Sequence, residues 1–167
     1  MRLLRSALFL WMANLVPDFF VLRIIKAVLL RCTGAKLNIF GLYFLSSIHV
    51  DRPWQITFGK GVFVNRNCTF EGLGRVVIGN NVQIGPNVVL ATTNHQLGDM
   101  QVVSGDIHIL DNVWLGANVV VTQGVILGPN VVVGAGAVVT KSFADCTVAG
   151  VPAAIMAVKT PATIPAR

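Results

Sequence analysis

The run from Ile109 to Val139 constrains this chain more than any other stretch. An aliphatic residue returns at every sixth position, at Ile109, Leu115, Val121, Leu127, Val133 and Val139. Three places after each stand Asn112, Asn118, Gly124, Asn130, Gly136 and, as the exception, Ser142. Four places after stand Val113, Val119, Val125, Val131 and Ala137. A helix repeats every ~3.6 residues and a flat strand every ~2, so neither accounts for this spacing. Apolar positions alternating with residues that enter the left-handed region cheaply describe a short strand and a corner, repeated. Such repeats stack into a parallel β-helix with one core along the whole solenoid.

The spacing predicts that the same phase starts early, since Phe44, Val50, Ile56, Val62 and Cys68 are also six apart. Cys68 is then a core residue, and Lys60 and Arg66 fall where a small apolar partner is usual. Residues 71–75 interrupt the count, with ten residues from Cys68 to Ile78. Ile78, Ile84 and Leu90 resume it, with Asn81 and Asn87 as corners. Leu90 and Ile109 are 19 residues apart, three hexads plus one. The interval TTNHQLGDMQVVSGDIH lacks the marks of the repeat and is expected to leave the solenoid as a loop, the kind of segment that forms binding faces. About five coils of three hexads result if each layer is triangular.

Charge separates the N-terminus from the rest. Of a net +6, residues 1–36 carry +5, from Arg2, Arg5, Arg23, Lys26, Arg31 and Lys36 against Asp18. A short, basic and very apolar segment points to a membrane surface, and no nucleic-acid module is present in the sequence. Pro17 divides it into two expected helices, 3–16 and 19–31, and Thr33-Gly34 stops the second. Arg23 and Lys26 are expected on one side of that helix, with Phe19, Leu22, Ile25 and Leu29 on the other. Neither run reaches the ~18–20 apolar residues of a spanning helix. The pair either lies in the membrane interface through residues 1–31 or caps the open end of the β-helix, and both can hold at once. A signal peptide is a third reading, without a clear cleavage site. The division expected is 1–36 helical, 37–158 β-helical and 159–167 a flexible tail. Three widely spaced cysteines, Cys32, Cys68 and Cys146, suggest reduced thiols and a cytoplasmic setting.

Histidine is the usual general base near neutral pH. His95 opens the interrupting segment, His108 closes it, and His49 lies in the early repeats. By position alone His95 is a modest candidate, since most loop histidines are simply solvated.

Four stretches carry a resemblance: FVNRN (63–67), VIGNNVQIGPNVVLATTNH (77–95), ILDNVWLGANVVVTQGVILGPNVVVGAGAVVTK (109–141) and AGVPA (149–153). Together they resemble the hexapeptide-repeat acetyltransferases, the group of maltose and galactoside O-acetyltransferases. The resemblance implies a left-handed parallel β-helix, a homotrimer with active sites between subunits, acetyl-CoA as donor and no metal. It implies His95 as the base that deprotonates an acceptor hydroxyl attacking the thioester, with a carboxylate or a backbone carbonyl orienting the imidazole. Asp99 is the only acid near it in sequence. Asn65 matches the residue that positions the acceptor, although three places after Val62 it is equally a corner. Trp114 matches an aromatic along the pantetheine arm, against a plain outward-facing apolar residue. Gly116 and Ala117 match the turn whose N–H faces the thioester carbonyl. Thr140 and Lys141 match the segment near the CoA nucleotide, and Ala135 belongs with the donor-binding set.

The apolar N-terminus and the LLRCTGAKL run (29–37) are similar instead to acetyltransferases of bacterial surface-polysaccharide assembly. That implies a sugar hydroxyl on a polysaccharide or lipid-linked intermediate, acetylated at the inner face of a cell membrane. Three other readings stand beside it: N-acylation of an amino sugar, a γ-type zinc carbonic anhydrase using three histidines, and a non-catalytic scaffold. His49, His95 and His108 lack the close H-x4-H pair that the zinc enzyme needs.

Overall fold

The computed structural model describes residues 2–18 and 22–158. The expected tail 159–167, like Phe19 on the second helix, lies outside the described residues. The solenoid has three faces, visited in rotation. The first holds Leu42–Phe44, Val62–Val64, Gln83–Ile84, Trp114–Leu115, Val132–Val133 and Cys146–Ala149. The second holds His49–Val50, Thr69–Glu71, Val89–Ala91, Val120–Val121 and Val138–Val139. The third holds Ile56–Phe58, Val76–Ile78, Ile107–Ile109 and Ile126–Leu127. Within each face these strands pair in parallel. At the far end Ala154–Val158 runs antiparallel to Cys146–Ala149 and covers that edge.

Each strand buries the two residues flanking one outward residue, as at Val113 and Leu115 about Trp114. The corners behave as the sequence predicts. Asn81, Asn87, Asn112, Asn118 and Asn130 have φ of 56–61°, and Gly124 and Gly136 have φ of 75° and 73°. The asparagines also bond to one another along the solenoid. Asn81 Nδ2 donates to Asn112 Oδ1, Asn112 to Asn130 at 3.3 Å, and Asn130 to Asp145 at 2.9 Å. Each amide thus ties its corner to the next layer.

The early phase differs from expectation. Val50 is the second inward residue of its strand, whereas Ile56 is the first of the pair Ile56 and Phe58. A short 3-10 turn, Pro53–Gln55, adds two residues and shifts the phase. The inward partners of Val62 and Cys68 are therefore Val64 and Phe70, and Lys60 and Arg66 are exposed. Cys68 is buried, as expected. Burial pushes its thiol up to about 11.

Helix α1 (Arg2–Leu15) and α2 (Arg23–Cys32) pack on each other and on the first coil. Ala13 and Leu30 join the core, so the pair does cap the solenoid. Thr33 and Gly34, at φ 106°, end α2. Asn14 fastens α1 to the coil, its amide bonding both the carbonyl and the N–H of Ile48. Among the described residues no helix is long and apolar enough to cross a membrane.

Helix α2 turns Lys26 toward the protein, with Leu29 packed against the core beside it. Lys26 is 1% exposed, while Ile24, Ile25 and Val28 face outward. Lys26 turns inward because Asp18 awaits it there. Its ammonium donates to Asp18 Oδ1 and, at 3.0 Å, to Ser46 Oγ. The Ser46 hydroxyl and Arg66 Nε also donate to the Asp18 carboxylate, at 2.8 and 2.9 Å. Burial alone would raise that carboxyl, but the hydrogen bonds from Lys26, Ser46 and Arg66 outweigh it and hold it at about 2. The outer face of α1 shows Leu4, Leu8, Trp11 and Leu15 to solvent.

Candidate active site

A groove of about 450 Å3 runs along the edge where the first face turns into the second. Its lining includes five residues singled out from the sequence: Asn65, Trp114, Gly116, Ala117 and Ala135. They converge because consecutive turns place equivalent corners one above another.

Trp114 stands on the outer surface of the first face, 56% exposed, in register between Gln83 and Val132. Below Gln83 follow Phe63 and Tyr43, whose rings lie 5.5 Å apart. Phe63 and Gln83 belong to the groove and were missed in the sequence. The signal was available. The outward positions of this face run Tyr43, Phe63, Gln83 and Trp114 before Val132, so four of them in a row are large or polar, whereas the second face turns to Val89, Val120 and Val138 after His49 and Thr69.

Asn65 is not a left-handed corner. The positive φ belongs to Asn67, at 58°, because the phase has shifted by two. The structural explanation that competed for Asn65 is thereby removed. Its Oδ1 accepts the Arg66 N–H at 2.8 Å, which fixes the amide of a residue that lines the groove. Arg66 in turn is held by Asp18, so the helical cap braces this residue.

The turn at Gly116 and Ala117 divides its work. The Gly116 N–H donates to the Val133 carbonyl at 2.8 Å within the ladder. A Cβ on Gly116 would lie 2.7 Å from the Ala135 nitrogen, so glycine is required by the stacking of turns. Ala117 is the residue of the pair whose N–H is outside that ladder, and its carbonyl accepts the Gly136 N–H.

His95 does not line this groove. The interrupting segment is a hairpin rather than an irregular loop: Thr93–His95 pairs antiparallel with Val102–Ser104, His95 opposite Val102. It projects from the edge between the second and third faces. Its base is clamped by the Leu73 N–H on Thr93 Oγ1 at 2.9 Å and the Gly74 N–H on Thr92 Oγ1 at 3.0 Å. His95 Nδ1 lies 3.0 Å from the Met100 carbonyl oxygen. A carbonyl oxygen only accepts, so Nδ1 carries the proton and Nε2 presents its lone pair. The orienting group is this carbonyl and not Asp99, whose carboxylate accepts the Gln101 N–H instead. Beyond it the tip is uncovered, with Leu97 96% exposed and Met100 and Val102 also outward among exposed Gln96, Asp99 and Gln101.

Thr140 and Lys141 follow Val138–Val139 and so lie on the hairpin edge, away from the groove. Lys141 Nζ sits 5.6 Å from the Phe143 ring centre. Of the remaining histidines, His49 pairs with Asp51, and His108 stands on the third face between Val77 and Ile126. Among the described residues no group of three His, Cys, Asp or Glu side chains could hold a metal ion.

These features match known proteins. The family model of the bacterial transferase hexapeptide, six repeats, matches residues 106–141. A protein of Schizosaccharomyces pombe inferred to be an acetyltransferase is 47% identical over 104 residues, 59% of this chain and 50% of its own. One of Staphylococcus haemolyticus, also inferred to be an acetyltransferase, is 41% identical over 131 residues, covering 71% of this chain and 68% of its own. The chain thus spans about half the length of the first of these relatives and two thirds of the second. The solved structure of a galactoside acetyltransferase in complex with coenzyme A has a TM-score of 0.82 at 29% identity, over 93% of this chain and 79% of that one. With a 41% identical relative covered over 68% of its length and the repeat matched on the solenoid, the chain belongs to the hexapeptide-repeat acetyltransferase family.

Proposed function

We propose that the protein is an acetyl-CoA-dependent O-acetyltransferase that acetylates a sugar hydroxyl on a surface polysaccharide or lipid-linked glycan, working as a left-handed β-helical homotrimer. One observation carries the reading. The groove residues suited to the donor's thioester arm and the residue suited to proton removal stand on two different edges of one solenoid. A hairpin with an oriented base and exposed Leu97 and Met100 at its tip, and a mainly apolar groove without a base, complement each other between copies. The match to a galactoside acetyltransferase holding coenzyme A supports both donor and acceptor class.

The groove residues fit the donor. Trp114 offers a flat apolar surface for the pantetheine arm, and the Ala117 N–H is the donor for the thioester oxygen. Asn65 directs its NH2 to the acceptor sugar. His95 Nε2, brought by the hairpin of a neighbouring copy, takes the hydroxyl proton as that oxygen bonds to the acetyl carbon. The tetrahedral oxyanion is held by the fixed backbone donor. It collapses with cleavage of the carbon–sulfur bond, and His95 returns the proton to the departing thiolate. Thr140 and Lys141, on the hairpin edge, serve the nucleotide end of the donor, Lys141 as a point charge for phosphate.

The outer apolar surface of α1 and α2 places the trimer on a membrane. Leu4, Leu8, Trp11 and Leu15 are exposed there, with Arg2 and Arg5 on the same helix. Since both helices also close the core, removing them would unfold the first coil. The informative change is Trp11→Asp with Leu8→Asp, which shifts the protein from the membrane to the soluble fraction. Unchanged membrane association of that variant rejects the surface.

The test of the enzyme is incubation with labelled acetyl-CoA and membrane glycolipid extract, followed by mass spectrometry of the product. His95→Ala lowers turnover by roughly 10²–10⁴ with the assembly intact. Mixed assemblies of His95→Ala and Asn65→Ala chains regain activity that neither has alone. Near-normal turnover in His95→Ala, or no regain on mixing, refutes the shared site.

A further inference from the structure

A second cavity, of about 490 Å3, lies between α1 and the start of the solenoid. That is the size of small-molecule sites. Leu3, Ala7, Leu10 and Trp11 form its wall on the helix, and His49 and Asp51 its wall on the coil. The reaction described above does not use it.

Its two ends differ in chemistry. The helical end is apolar and opens outward: Leu3 and Trp11 line the cavity yet are 67% and 61% exposed. The cavity therefore merges with the apolar surface that faces a bilayer. The other end is polar. His49 Nε2 and Asp51 Oδ1 are 2.9 Å apart, and Asp51 Oδ2 accepts the Gly72 N–H at 3.0 Å. The bonded pair leaves His49 Nδ1 and the remaining lone pairs of Asp51 for hydroxyl groups. The rim is cationic. Arg2, next to Leu3, stacks over Trp54 at 4.6 Å, and Arg52 lies between Asp51 and Pro53, both of which line the cavity. Helix α1 contains no acidic residue.

Position matters as much as chemistry. Asp51 stands on the same edge as the hairpin, and hydrogen bonds connect the two. Asp51 holds Gly72, the following Leu73 donates to Thr93 Oγ1, and Thr93 begins the strand that ends in His95. A ligand seated here is aimed along that edge toward the base.

We propose that this cavity binds the lipid-proximal part of a membrane glycolipid acceptor, its long chain against α1 and its first sugar on His49 and Asp51. The chain enters from the bilayer through the opening at Leu3 and Trp11. An anionic linkage between chain and sugar lies against Arg2 and Arg52. The inference rests on the O-acetyltransferase reading and narrows it: the acceptor is a lipid-linked glycan, held by its anchor while a distal sugar reaches His95.

Two acceptors with the same oligosaccharide decide the matter, one linked to a prenyl diphosphate in bilayer nanodiscs and one released from it. With full-length protein and labelled acetyl-CoA, kcat/KM for the linked form exceeds that for the free form by roughly tenfold or more. Ala7→Trp, which fills the cavity, removes most of that preference, and so does His49→Gln on an exposed side chain. A preference unchanged in both variants, or absent from the wild type, overturns the inference while acetyl transfer itself stands. Binding is read separately. In a Trp54→Phe, Trp114→Phe background, a glycoside with a brominated alkyl chain quenches Trp11 fluorescence saturably, at one per chain, and Ala7→Phe, which fills the cavity without adding a second tryptophan, abolishes the saturable part. If neither acceptor is acetylated, the enzyme reading fails. Saturable quenching then still supports the lipid site, and its absence rejects it.

Discussion

Replacing Asp18 by Asn isolates the interaction that seats the helical cap. The change keeps the shape of the side chain and removes its charge, leaving the Lys26 ammonium, 1% exposed, without a counter-ion. Ser46 Oγ remains at 3.0 Å, so one hydrogen bond survives. Loss of one partner from a buried pair costs about 3–5 kcal/mol. The carboxyl itself gives a second figure. Its lowering from 3.8 to about 2 corresponds to about 2 kcal/mol of stabilisation of the charged form, at a side chain 17% exposed. A loss of about 3 kcal/mol lies between the two. Opening of the cap exposes the first coil and not the later turns, so hydrogen exchange of α2 amides is the suitable assay. About 3 kcal/mol is a roughly hundredfold loss of protection there, with core amides such as Leu115 and Val121 unaffected. The double variant Asp18→Asn, Lys26→Met recovers to within about 1 kcal/mol of wild type, since a pair replaced together costs little. The pH dependence has a definite sign. A carboxyl lowered on folding contributes fully above about pH 4, and its contribution is lost as pH falls through about 2. Protection in Asp18→Asn within about threefold of wild type would refute the reasoning.

Other consequences can be measured directly. Gly72 has φ 109°, and a Cβ there would lie 2.1 Å from Thr93 Oγ1. Gly72→Ala therefore displaces the hairpin base and lowers kcat at least tenfold, while affinity for coenzyme A, measured by calorimetry, stays near wild type because the groove is on another edge. Asn112→Ala strains a corner at φ 61° and breaks two rungs of the amide ladder. It costs about 1–3 kcal/mol by thermal unfolding, and Asn112→Gly costs less. In native protein Cys32 reacts with a thiol reagent at pH 8, whereas Cys68, pushed to about 11 and buried, stays unlabelled until the chain is denatured. Rapid native labelling of Cys68 would contradict its place in the core.

The later turns were legible in the sequence because nothing interrupts them. Asn112, Asn118, Gly124 and Asn130 are corners for a steric reason that acts within one residue. The early turns were not, because periodicity counts residues and cannot see an added pair. A two-residue shift at Pro53–Gln55 moved Asn65 off the corner and Asn67 onto it. It also turned Lys60 and Arg66 to solvent. Five residues of the groove, Asn65, Trp114, Gly116, Ala117 and Ala135, could be anticipated through resemblance, but its separation from His95 depends on which edge each corner occupies. Met100 as the orienting group was out of reach for a similar reason. A backbone carbonyl leaves no mark on the sequence, while Asp99 does. The inward Lys26 was missed because a helical projection shows which residues share a side, not which side meets the protein. Asp18, eight residues earlier, decided that.

The places where the solenoid exceeds its sixfold spacing have one property in common. From Val50 to Phe58 and from Phe70 to Ile78 are eight residues, and from Leu90 to Ile109 are 19, all at the turn from the second face to the third. The other two turns keep six, as from Ile84 to Leu90 and from Ile78 to Ile84. Length can change on this seam without moving a single inward side chain out of register. The seam carries His95 and the clamp beneath it, and the groove at Trp114 lies on a seam of fixed length. Hairpins of other lengths and sequences, grafted between Ala91 and Ile107 with His95 and its orienting carbonyl kept, would therefore alter which acceptor is read and leave the groove at Trp114 as it is.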